Sequence, residues 1–233
     1  MTNMFEEYLR DPHKDPPQRP PRLRKIVMLS DIHDQYHHLG EPEQGDILLL
    51  AGDLTNRGKE SELIHCNNWL AKQDFTHKVV IPGNHDITFE TKWPWAESKL
   101  FNADAILDQE LYVADGIKIW GEPRQPFFYD WAFNVRRGDM KKQCWDKVPP
   151  DIDILLTHGP PWGVLDQNEQ GVHCGDVAQR EWILEYQPRM VVCGHIHPGR
   201  GIALLGKTMV VNAANCGGGL VRPPITTYMG IEV

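Results

Sequence analysis

The sequence predicts an α/β fold of layered, mixed β-sheets. Short apolar runs recur along the chain, each closed by polar residues. Several runs are apolar almost throughout, as strands buried on both faces are. Strand-like and helical patterns alternate early in the chain, while hairpin-like strands crowd its C-terminus, so layers with both parallel and antiparallel pairing are expected.

Residues 12–21, PHKDPPQRPP, carry five prolines in ten positions. Such a stretch is stiff and extended and donates little to a sheet. Residues 1–21 are therefore read as an N-terminal arm and 22–233 as a single domain. Strands are expected at KIVMLS (25–30), DILLLA (46–51), KVVIP (78–82), GIKIW (116–120) and DILLT (153–157), then at RMVVC (189–193), GIALL (201–205), TMVVN (208–212) and TTYMGIEV (226–233). Two helices lie between them. ESELIHCNNWLAK (60–72) sets Leu63, Cys66 and Leu70 on one face, and DVAQREWILEY (176–186) opens on Asp176, a good N-cap. Residues 121–138, GEPRQPFFYDWAFNVRRG, read as an aromatic-rich loop long enough to border a site.

The chain of 233 residues carries a formal net charge of −8, so an extended nucleic-acid surface is not expected. Five cysteines without a CxxC pair argue against a disulfide framework and for a reducing cytoplasm. The N-terminus shows no apolar signal core, and no segment reaches the roughly 18 apolar residues of a membrane span.

Chemistry-bearing residues follow the apolar runs directly. KIVMLS precedes Asp31-Ile32-His33, DILLLA precedes Gly52-Asp53, and KVVIP precedes Gly83-Asn84-His85-Asp86. DILLT precedes His158, and RMVVC precedes Gly194-His195-Ile196-His197. Ligands of α/β sheets bind beyond the carboxyl ends of strands. One Asp at a strand end is ordinarily a cap or turn residue, but five strand ends offering Asp, His or Asn exceed what turn chemistry explains. Mixed Asp, His and Asn donors without clustered thiolates suit hard or borderline divalent ions. Seven ligands are too many for one ion and fit two, about 3.5–4 Å apart and sharing a carboxylate.

The ordered set DIH…GDLTNRG…GNHD…THGPP…GHIH resembles the signature of calcineurin-like metallophosphoesterases, from Arg24 to the C-terminus. GDILLLAGDLTNRG, KVVIPGNHDITFE and DILLTHGPPWG are similar to the metallophosphoesterase domain-containing branch. The resemblance implies a four-layer αββα sandwich and two divalent ions, manganese foremost, with iron, zinc, nickel and magnesium as alternatives. Asp31, His33 and His197 would hold the first ion, Asn84, His158 and His195 the second, and Asp53 both, together with a bridging hydroxide that attacks phosphorus. His85 would assist the leaving oxygen, with Asp86 holding its tautomer. Some members of the branch have glycine where this chain has His195, so the second site is expected to be complete here.

The implied activity is hydrolysis of small phosphodiesters, with cyclic nucleotides among the candidates. A phosphomonoesterase, a protein phosphatase and a metal-binding scaffold of little activity are the alternatives. Phe127, Phe128 and Trp162 are candidate stacking platforms for a base or aryl group, whereas Trp131 is assigned to the core. Arg57 and Arg136 or Arg137 are candidates for reaching a second phosphate. Asn212 is a candidate substrate contact, a support of the site or a residue that only closes a turn, and Cys216 is read as a plain thiol. The oligomeric state stays open.

Overall fold

The computed structural model describes residues 23–40, 44–217 and 220–231; the expected arm 1–21 lies outside them. Parallel pairing joins β1 (Leu23–Leu29), β2 (Gln44–Ala51), β3 (Asp74–Ile81) and a short β4 (Ala105–Ile106). Between β2 and β3 runs α1 (Glu60–Leu70), and beyond β3 follow the short helices α2 (Ile87–Thr91) and α3 (Trp93–Glu97).

A second sheet is built from β5 (Glu110–Ala114), β6 (Ile117–Glu122), β9 (Ile154–Thr157), β10 (Met190–Cys193), β11 (Gly201–Leu205) and β12 (Thr208–Asn212). Its spatial order is β11-β12-β10-β9-β6-β5, parallel at its centre and antiparallel at both edges. The small pairs β7 (Gln125–Pro126) with β8 (Asn134–Val135) and β13 (Cys216–Gly217) with β14 (Leu220–Val221) lie outside the two large sheets. Helices α4 (Met140–Gln143) and α5 (Val177–Tyr186) belong to the second half of the chain. The last strand, β15 (Ile225–Gly230), returns to β1 in antiparallel register.

Side-chain alternation along the strands separates three cores. Ile26, Met28, Ile47 and Leu49 face Ile119, Ile154, Leu156 and Val192 between the sheets. Their sequence neighbours Val27, Leu29, Leu48 and Leu50 turn the other way, onto Leu63, Cys66 and Leu70 of α1. On the second sheet Leu155, Val191 and Val210 turn outward onto Trp145, Trp182 and Ile183. The strands are therefore apolar throughout because both faces are covered, and the expected helix–sheet–sheet–helix layering follows from period-two alternation.

Asp176 caps α5, accepting from the amides of Ala178 and Gln179 at 3.2 and 3.1 Å. Glu62 ties down the start of α1 by accepting from the Lys59 and Arg57 amides at 3.0 and 3.1 Å. The segment 121–138 is more ordered than a plain loop: β7 and β8 pair within it, and Asn134 donates to the carbonyls of Tyr129 and Trp131 at 2.8 and 2.9 Å.

Candidate dinuclear metal centre

Parallel strands end on the same edge of their sheet, so β1, β2 and β3 deliver their following residues together, as do β9 and β10. The two edges are tied by the amide of Ser30, which donates to the Ala213 carbonyl at 3.0 Å. Asp31, His33, Asp53 and His195 hold positive φ angles of 54°, 48°, 53° and 63°. A left-handed backbone at a non-glycine residue costs on the order of 1 kcal/mol or more. Here it is offset by bonds such as Asp31 amide to Gly52 carbonyl and His33 amide to Asp53 carbonyl, each 3.0 Å. Gly83 is required for close approach: a Cβ there would lie 2.7 Å from Cε1 of His158 and would strike Asp53.

The side chains converge. Nε2 of His197 lies 3.1 Å from Oδ1 of Asp31 and 3.4 Å from Nε2 of His33. Nε2 of His33 is in turn 3.8 Å from Oδ2 of Asp53. On the other side of Asp53, Nε2 of His158 is 3.4 Å from Oδ1 and 2.9 Å from Oδ1 of Asn84. Donor atoms of Asp31, His33 and His197, and separately of Asp53, His158 and His195, fall within 4.8 Å of one another. A third such group joins His33, Asp53 and His85. The structure thus gathers all seven expected donors and His85, with Asp53 central among them.

Backbone carbonyls orient the rings. Nδ1 of His158 is 2.8 Å from the Ala51 carbonyl, which can only accept, so Nδ1 carries hydrogen and Nε2 is left for the cluster. His85 is treated the same way by the Asn56 carbonyl, 2.9 Å from its Nδ1.

Charge is finely divided. Burial opposes ionisation of Asp31, yet the hydrogen bond and charge of His197 hold its carboxyl at about 2. Asp53 is likewise buried but kept well below the carboxylate range by His158. Burial disfavours a proton on His158, but Asp53 outweighs it and raises that imidazole to about 9. Burial and the neighbouring His158 push His195 down to about 3. The Asp31 carboxylate with imidazole and amide donors, gathered on either side of the Asp53 carboxylate, is a donor set that fits hard or borderline divalent ions.

Some expected roles need correction. Asp86 does not hold the His85 ring; its buried carboxylate accepts from the amides of Leu54, Thr55 and Gly83 at 3.1, 2.9 and 2.8 Å. Burial and the nearby Asp53 raise Asp86 to about 6. Asn212 is fully buried and is no substrate contact: it donates to the Leu165 and Ile196 carbonyls at 3.1 and 2.9 Å and accepts from the Ala214 amide at 3.1 Å. Trp162 packs near His173, with ring centroids 5.2 Å apart, and does not line the cleft beside the cluster. Trp131 is not core; it is partly exposed and stacks on His85. Arg57 lies over that indole, 5.1 Å from its centroid. Phe127 does line the cleft, with Phe128 and Tyr129. Asn56, which its residue type does not mark as functional, holds two site residues, its carbonyl facing His85 and its side-chain amide donating to the His33 carbonyl at 3.1 Å. Its place inside GDLTNRG was visible, but a backbone carbonyl leaves no residue-type signal.

Two mixed sheets sandwiched by helices, with Asp, His and Asn donors gathered at their strand ends around one carboxylate, define the scaffold of a metal-dependent phosphoesterase. Residues 24–199 match the calcineurin-like phosphoesterase family, and the chain belongs to it. Human metallophosphoesterase domain-containing protein 1 is 36% identical, over 92% of this chain and 73% of the relative. A UPF0046 protein of Caenorhabditis elegans is 30% identical, over 98% of this chain and 83% of its own length. The crystal structure of TT1561 from Thermus thermophilus shares the fold, with TM-score 0.54 at 15% identity over 82% of this chain and 88% of that one. Among the described residues, no helix is long and apolar enough to cross a membrane.

Proposed function

We propose that this phosphoesterase is a dinuclear hydrolase of small phosphodiesters, with nucleotides among its substrates. Asp31, His33 and His197 would hold one ion, Asn84, His158 and His195 the other, and Asp53 would serve both. The observation that carries this reading is the position of Asp53, whose two oxygens approach His33 and His158 from opposite clusters at 3.8 and 3.4 Å. When bound, two divalent ions neutralise phosphoryl oxygens and bring water to a nucleophilic state near neutral pH. Manganese is the ion proposed first; the mixed imidazole, carboxylate and amide donors equally admit iron, zinc, nickel and magnesium.

The chain's own groups supply the rest. The Asn56 carbonyl engages Nδ1 of His85, so Nε2 is the atom left to serve the substrate; in this reading it protonates the leaving oxygen. Two cavities flank the cluster and support a diester, which has two ester arms. One, of about 540 Å³, is lined by His85, His195, Phe127, Phe128 and Arg137. The other, of about 580 Å³, is lined by His33, Gln35, Cys216 and Leu220. Phe127 is 64% exposed, and its ring offers a face for a base or aryl group. The buried, unpaired thiols Cys66, Cys144 and Cys193 support a reducing compartment such as the cytoplasm.

The test compares metal-restored kcat/KM on bis(p-nitrophenyl) phosphate and p-nitrophenyl phosphate after chelation. Higher kcat/KM on the diester is expected. A preference for the monoester would overturn the diester assignment, and no turnover with any of the five metals would favour a scaffold.

A further inference from the structure

We propose that Trp131 is a positioning residue that fixes the plane of the His85 ring for catalysis; this rests on the leaving-group role of His85 given above. The indole stacks on the imidazole with centroids 4.0 Å apart and planes 28° from parallel. His33 meets the same imidazole edge-on, with centroids 4.7 Å apart at 81°. The Asn56 carbonyl fixes Nδ1 only as a point, and the ring could still swing about that bond. A flat aromatic face removes that freedom, because tilting the imidazole would break the parallel contact.

Trp131 is itself anchored to the turn that carries His85. Its carbonyl accepts from Asn134 at 2.9 Å, and the next residue, Ala132, donates its amide to the Asn84 carbonyl at 3.2 Å. Gln125 accounts for the Ala132 carbonyl at 2.9 Å, and Glu90 for the Phe133 amide at 2.8 Å. The His85 amide donates to Oδ1 of Asp53 at 2.8 Å. The backbone of His85 is thus referenced to the cluster centre, and its ring to a platform hydrogen-bonded to the same turn. Arg57 over the indole adds a cation–π contact to that platform.

A double-mutant cycle tests this with Trp131→Leu, Trp131→Phe, His85→Ala and the Trp131→Leu/His85→Ala pair, assayed on diphenyl phosphate and on bis(p-nitrophenyl) phosphate. Misplacement of a catalytic group costs up to about 100-fold. Trp131→Leu is expected to lower kcat within that range on diphenyl phosphate, whose leaving group needs the proton more, and less on the nitrophenyl ester. KM and bound metal should be unchanged. In the His85→Ala background Trp131→Leu should add nothing, and Trp131→Phe, which keeps a ring face, should recover most of the loss. Carbon-13 relaxation of the His85 ring gives a readout free of turnover: the ring should be ordered in the wild type and in Trp131→Phe, and mobile in Trp131→Leu.

Losses that add to those of His85→Ala, a change in KM alone, or loss of metal from Trp131→Leu would each overturn the positioning role. A different result, His85→Ala matching wild type on diphenyl phosphate, would instead remove the leaving-group role of His85.

Discussion

The amide of His195 donates to both carboxylate oxygens of Asp31, at 3.1 and 2.9 Å. The first residue beyond the Ser30 bridge on one sheet is thereby locked to the turn that leaves β10 on the other. The same carboxylate faces Nε2 of His197, so one aspartate both closes the seam and shapes a candidate metal site.

That seam leaves no room at Gly194. A Cβ there would come within 2.6 Å of Cβ of Ser30 and would also strike the Asp31 carboxylate. Gly194→Ala is expected to destabilise the protein by about 1–3 kcal/mol, as overpacking does. Gly138→Ala is the control, since a Cβ at Gly138 meets nothing within 4 Å. Urea unfolding of the two variants gives the comparison, and equal midpoints would contradict the seam's tightness.

Asp53 stands between the two donor clusters, whereas Asn84 serves one. Asp53→Asn should therefore lower occupancy of both ions, and Asn84→Ala that of one. Metal analysis after gel filtration decides this; a full complement on Asp53→Asn would disprove the shared role.

Asn212 holds the GHIH turn by donating to the carbonyls of Leu165 and Ile196. Asn212→Ala would leave the buried Ala214 amide and the Leu165 carbonyl without these partners, each costing about 1–3 kcal/mol at most, while the Ile196 carbonyl keeps the Gly199 amide at 2.9 Å. Its thermal midpoint should fall while KM of properly folded enzyme stays near wild type. A raised KM with an unchanged midpoint would return Asn212 to the substrate contacts.

In chelated protein His158 and His197 take up part of the positive charge that ions would supply. Burial works against both, but Asp53 raises His158 to about 9, and the Asp31 hydrogen bond raises His197. A base with a raised folded pKa adds stability that is fully present below its unfolded value, near 6.5, and is lost as pH rises through the folded value. Well above pH 6.5, where His195 is neutral folded and unfolded alike, the melting temperature of the chelated chain should thus decline towards pH 9. Reloading with manganese should flatten the decline, because the ions replace the protons. A chelated protein equally stable across that interval would contradict the arrangement.

Much of the fold and site is legible in the sequence. Strands such as ILLLA within β2 announce themselves because both faces are buried, and the residues closing them carry the chemistry. β5 escapes such a reading because ELYVA has its outer residues exposed at a sheet edge and lacks a continuous apolar run. The short helices α2 and α3 escape it because five residues offer too little periodicity to read. Within the site, residue types at strand ends point to the donors, since few other contexts gather Asp, His and Asn. Orientation is not legible. Sequence adjacency suggests that Asp86 orients His85, but its oxygens turn back to Gly83, Leu54 and Thr55, and a carbonyl from a different strand exit holds the ring instead. Likewise Trp131 reads as core from its size, and only tertiary placement sets it against His85.

The most direct test titrates chelated protein with Mn²⁺ while bound ions per chain and bis(p-nitrophenyl) phosphate turnover are followed together, with His195→Ala alongside. Two bound ions are expected in the wild type, with turnover rising as the second site fills, and one ion with little turnover in His195→Ala. Full activity after chelation, or full activity with a single ion, would contradict a dinuclear centre built on Asp53.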